Sequence, residues 1–107
     1  MIRAMPGAAR APLIVVASQA GSTADEVAAR LRSQGAVAYA THSAQGCLRV
    51  STSIGPDLVV IDPALWSARL ERLIRAHPTS AHSCVRSMTA DDLRDGLPAQ
   101  PVIAAAA

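Results

Sequence analysis

The chain has 107 residues, half of them apolar, with ten Arg, no Lys and eight acids for a net charge of +2. That is one domain's length and enough apolar content for a core without staples, which excludes global disorder. The Arg are scattered and meet almost no aromatics, there being only Tyr39, Trp66 and no Phe, so no nucleic-acid surface is expected. Purely apolar runs such as Leu13–Ala17 are too short to span a membrane.

Residues 1–11 carry Arg3 and Arg10 but no apolar stretch of signal-peptide type, and are expected to be a flexible N-terminal segment. A cytoplasmic location is expected. After Pro12, Leu13-Ile14-Val15-Val16-Ala17 is a continuous β-branched run, the pattern of a strand buried on both faces. Ser18 to Thr23 form a polar loop, in which Ser22 or Thr23 caps a helix carrying Asp25 and Glu26 at its positive end. Val27 and Leu31 mark that helix's apolar face; it ends near Gln34, where Gly35 is a stop.

Ala36–Ala40 reads as a second, weaker strand. Ser43–Ser53 reads as a helix with Ala44, Cys47, Leu48 and Val50 or Ser51 inward, ended by Gly55-Pro56. Asp57–Asp62 is the strongest strand signal in the chain, an apolar run closing on an acid. Pro63–Trp66 is a loop, and Ser67–Ala76 a helix with Leu70, Leu73 and Ile74 at helical spacing, broken by His77-Pro78. His82–Met88 is a fourth strand weakened by Arg86 and Ser87. Asp91–Gly96 reads as a helical turn, and Val102–Ala106 as a short fifth strand or a tail.

Strands alternating with helices imply right-handed crossovers and a parallel sheet. The expected fold is a flavodoxin-like, doubly wound α/β domain over residues 12–107, with four to five strands and a shortened C-terminal end.

Three stretches resemble the response-regulator receiver family. Pro56 to Asp62 resembles its third strand, closing on the phosphoacceptor Asp. Leu73 to His82 resembles the end of its third helix and the loop that follows. Met88-Thr89-Ala90 resembles its Thr/Ser-Ala at the end of the fourth strand. The resemblance covers residues 12–90 and implies Asp62 as remnant phosphoacceptor and Thr89 as remnant phosphate ligand.

The family's chemistry also uses an acidic pair after the first strand, which holds Mg²⁺ with the phosphoacceptor, and a Lys after the fifth. Here Ala17 and Ser18 stand at the acidic positions and the chain has no Lys. Only seventeen residues follow Ala90. The resemblance therefore implies a pseudo-receiver: no catalytic residues, no metal, no cofactor, and a signalling or scaffold role by protein–protein interaction. Its partner would be a histidine kinase or another signalling protein. A missing last helix would also leave one sheet face poorly covered, a route to a homodimer.

Two alternatives stand beside this reading. One is an atypical receiver still phosphorylated on Asp62. The other follows from Val16 to Glu26, which resembles the phosphate loop of flavodoxins: Ser18, Gly21, Ser22 and Thr23 would bind the phosphate of flavin mononucleotide or another anion at a helix N-terminus. Trp66 would then cover the flavin; otherwise it is an interface anchor or a cover for the sheet's end. Cys47 and Cys84 read as small buried hydrophobes. His42, His77 and His82 read as solvent-facing, and Asp91, Asp92 and Asp95 as solvated acids.

Overall fold

The structure, a computed structural model, describes residues 11–20 and 23–89. Four strands alternate with three helices: β1 (Leu13–Ala17), α1 (Thr23–Ser33), β2 (Val37–Thr41), α2 (Ala44–Ile54), β3 (Leu58–Ile61), α3 (Ala68–Ala76) and β4 (Cys84–Ser87). All pairings are parallel and the order is β2-β1-β3-β4. This is the flavodoxin-like, doubly wound arrangement. The expected turn at Asp91–Gly96 and the fifth strand at Val102–Ala106 lie outside the described residues.

The burial pattern explains the strand signals. β1 and β3 are central, covered on both faces, and Ile14–Ala17 and Leu58–Ile61 are wholly buried. Continuous apolar runs are what such positions require. One face packs Ile14, Val16, Leu58, Val60 and Ala38 on Ala24, Val27, Ala28 and Leu31 of α1. The other packs Val15, Ala17, Val59, Ile61 and Val85 on Cys47 of α2 and Leu70 and Ile74 of α3. Small residues on α1, Ala24 and Ala28, let it lie close to β1 and β2. Among the described residues, the exposed large apolar side chains are Val37, Tyr39, Trp66 and Leu73. Strand register places Val37 and Tyr39 on the α2–α3 side, in line with Leu13 and Val15.

Helix ends follow from capping. Ser43 Oγ accepts from Gly46 N at 2.9 Å, and Ser67 Oγ from Leu70 N at 3.0 Å. Both serines therefore sit just before their helices instead of inside them. Gly55 closes α2 with φ of 60°. His77, held extended by the following Pro78, closes α3. Leu73, expected in the core, is 42 % exposed: α3 buries only the narrow stripe of Leu70 and Ile74. β4 is shorter than expected because His82 and Ser83 belong to the preceding loop. There Ser83 Oγ donates to Pro56 O at 2.5 Å and Ser80 Oγ to Ile74 O at 2.5 Å, satisfying buried carbonyls.

The outer strands are blunted. In β2, Val37 N and Thr41 O bond toward β1, so the even-numbered carbonyls point outward. Arg32 takes one of these, Ala38 O, with Nε at 3.0 Å and Nη2 at 2.8 Å. In β4, Cys84 N and Met88 N bond toward β3, which turns Ser87 O outward, and Arg86 Nη1 donates to it at 3.0 Å. A charged side chain on an outward carbonyl hinders pairing with another strand.

Candidate functional site

In an open parallel sheet, ligands gather at the carboxyl ends of the strands, where neighbouring connections run to opposite sides. Here that point lies between β1 and β3. β1 leaves toward α1 and β2 on one side; β3 leaves toward α3 and β4 on the other. Ser18 follows the last residue of β1, and Asp62 follows the last residue of β3.

The two side chains meet across that point. Ser18 Oγ donates to Asp62 Oδ2 at 2.8 Å, a bond between residues 44 positions apart. Ser18 is fully buried, and its Oγ also accepts from Ala20 N at 3.2 Å. Asp62 is half-buried. Its Oδ1 accepts from Ala64 N at 3.0 Å, and its carbonyl accepts from Leu65 N and Trp66 N at 2.8 and 3.0 Å. Each carboxylate oxygen thus has one neutral donor, and the carboxylate shapes the Pro63–Trp66 turn. The backbone holds the pair in register: Asp62 N donates to Ala17 O at 2.8 Å, and Ser18 N to Thr41 O at 3.0 Å.

The other residues singled out from the sequence distribute as follows. Met88 N donates to Ile61 O at 2.8 Å, so Thr89 leaves the sheet at the same rim as Asp62, and it is exposed. Thr23 opens α1, its N donating to Ala20 O at 2.8 Å. Gly21 and Ser22 lie outside the described residues, as do Asp91, Asp92 and Asp95. Trp66 ends the turn built on Asp62 and is 41 % exposed.

Two contacts at this rim have no local signature in the sequence. Ser18 stands in a candidate anion loop and Asp62 at a candidate phosphoacceptor position; their mutual hydrogen bond depends on the sheet order. His42 has no partner at local or helical spacing. In the fold His42 Nε2 lies 3.4 Å from Asp25 Oδ1, both side chains more than half exposed, because α1 begins where β2 ends. Among the described residues, no group of three or more His, Cys, Asp or Glu side chains is placed to hold a metal ion.

Both cysteines are free, Cys47 buried in α2 and Cys84 half-buried in β4. Burial pushes the Cys47 thiol up to about 11; Ser51 and Thr41 hydrogen bonds oppose this only in part. Because its folded value lies above its ordinary 9.0, the resulting stability is complete below pH 9 and drains away as pH rises through about 11. At pH 8, iodoacetamide is expected to label Cys84 in the folded chain and Cys47 only after unfolding. Intact mass in the presence and absence of urea checks this; prompt double labelling of folded protein would contradict the burial.

Fold and rim together define a doubly wound parallel α/β domain with a Ser–Asp pair at its switch point. No protein-family model matches the chain, and no curated protein matches it in sequence. Among the described residues, no helix is long and apolar enough to cross a membrane.

Proposed function

We propose that this chain is a pseudo-receiver: a cytoplasmic signalling or scaffold module that works by binding another protein, without Mg²⁺-dependent phosphorylation. The observation that carries this is the 2.8 Å bond from Ser18 Oγ to Asp62 Oδ2. A receiver needs a second carboxylate beside its phosphoacceptor. The group beside Asp62 is instead a buried neutral hydroxyl that spends its proton on the carboxylate.

The chemistry follows from charge. A carboxylate attacking a phosphoryl donor meets a like-charged group. A divalent cation and an ammonium normally offset that repulsion. Mg²⁺ demands near-octahedral oxygen ligands, and Asp62 is the one carboxylate at the β1–β3 junction among the described residues. Losing a single charge-stabilising group costs on the order of 3 kcal/mol in the barrier, or two to three powers of ten in rate. Removing both the metal and the ammonium places phosphorylation far below a signalling rate. The fold then remains as a rigid platform whose helices and loops present a surface.

The test is incubation of the whole chain with acetyl phosphate or phosphoramidate and Mg²⁺, followed by intact mass. No phosphoryl adduct is expected. An adduct that forms within minutes and is lost in an Asp62→Asn chain would instead establish the atypical receiver.

A further inference from the structure

Among the described residues, charge and apolar exposure are unevenly divided between the two sides of the sheet. On the α1 side, Asp25 and Glu26 balance Arg30 and Arg32. On the other side, α2 and α3 carry Arg49, Arg69, Arg72 and Arg75 against a single acid, Glu71. Glu71 is taken up by Arg75 at 3.2 Å. The guanidinium groups of Arg49, Arg69 and Arg72 hold no partner among the described residues. Both exposed apolar side chains near α3, Trp66 and Leu73, lie among these arginines.

Two shallow, open grooves lie beside them. A groove of about 640 Å³ runs along α3, lined by Trp66, Ala68, Glu71, Arg72, Arg75 and Ala76. Ala68 and Ala76 leave room along the helix, Trp66 walls the end nearest the rim, and Arg72 and Arg75 stand one turn apart on the side. A smaller groove of about 440 Å³ lies on the α2 flank of the same helix, where Leu73 and Arg69 sit together.

We propose that this face of α3 is a docking surface for an acidic amphipathic helix of a partner protein, an inference that rests on reading the chain as a binding module. Trp66 would take an apolar side chain of the partner, with Ala68 beside it and Ala76 about two turns further along the groove. Arg72 and Arg69 would take carboxylates one turn apart, in the bidentate geometry that guanidinium groups favour. Trp and Arg are the residue types that most often anchor interfaces. A single aromatic argues against single-stranded nucleic acid, which stacks successive bases on several. The arginines that cap outward carbonyls of both outer strands argue against edge-to-edge pairing of two copies.

Trp66 is the chain's only Trp, so its emission reports on the groove directly. The experiment titrates the whole chain with two synthetic helical peptides that share one leucine face. In one the flanks are Glu, in the other Lys. The Glu peptide is expected to shift Trp66 emission to shorter wavelength and to saturate. Its affinity should fall about tenfold between about 50 mM and about 500 mM salt, as screening dictates. Arg72→Glu is expected to weaken it about tenfold and Arg72→Gln about threefold, with urea midpoints unchanged. No shift, an equal shift with the Lys peptide, or a shift only with anionic phospholipid vesicles or a single-stranded oligonucleotide would overturn the proposal. These readouts are independent of the phosphoryl-adduct assay, so the docking surface and the pseudo-receiver reading fail separately.

Discussion

A Gly55→Ala chain is expected to lose about 3 kcal/mol of folding stability, a large part of the roughly 5–15 kcal/mol that holds a domain of this size. Two terms add. Gly55 closes α2 at φ of 60°, where a side chain costs about 1 kcal/mol. A Cβ there would also collide with Thr79 O and stand 3.2 Å from Thr79 Cγ2. The carbonyl cannot easily yield. Thr79 belongs to the loop between α3 and β4, which is tied down by Ser80 Oγ on Ile74 O, Ser83 Oγ on Pro56 O and His82 Nε2 against Gly55 O at 3.1 Å. Gly35 is the built-in comparison: its φ is 96°, but a Cβ there meets nothing within 4 Å. Gly35→Ala should therefore cost only the backbone term, about 1 kcal/mol. In urea the two variants should separate by more than about 1 M in midpoint, for a slope of roughly 1–1.5 kcal/mol per M. Equal losses at the two glycines would mean that the approach of Thr79 contributes nothing.

The contrast between these glycines marks how far the sequence can be read. Both positions are visible as helix stops from the residues alone, since a left-handed cap favours Gly. What separates them is a loop 24 residues further along, and no local pattern announces it. The same division runs through the molecule. Leu13–Ala17 and Leu58–Ile61 are legible as buried strands because a strand covered on both faces must be apolar throughout. Ser43 and Ser67 are legible near helix starts because their hydroxyls serve the first free N–H groups. Leu73 misleads, because helical spacing shows which residues share a stripe but not how much of it the sheet covers. The candidate site is the least legible part. Ser18 and Asp62 were each conspicuous, but their bond, like that of Asp25 with His42, exists only once β1 lies between β2 and β3. Arg32 on Ala38 O is closer in sequence, yet it too depends on β2 being the outer strand.

Placing a carboxylate at the position where Ser18 now stands should turn the rim's main stabilising contact into a repulsion. Ser18 is fully buried with its Oγ 2.8 Å from Asp62 Oδ2, so a Ser18→Asp side chain would bring two anions to contact in a site that water reaches poorly. With EDTA at pH 7 we expect a loss of about 2–4 kcal/mol, the range for a buried charge without a partner. Ser18→Asn, neutral and still able to donate, should cost under about 1 kcal/mol. Ser18→Ala should fall between, at about 1–2 kcal/mol, since it leaves a carboxylate oxygen short of a donor. The pH dependence separates charge from size. Two carboxyls in contact share a proton, so the pair's upper folded pKa lies above the unfolded value of about 3.9. The native state of the variant then binds more protons than the unfolded state across that interval, and its deficit shrinks as pH falls through the raised value. Millimolar Mg²⁺ should restore at least half of the loss at pH 7, because the cation replaces the shared proton. Urea midpoints with and without Mg²⁺, at pH 7 and pH 5, carry the whole comparison. If Ser18→Asp proves as stable as Ser18→Asn at neutral pH without metal, residue 18 does not face the Asp62 carboxylate, and the electrostatic ground for a metal-free rim is gone.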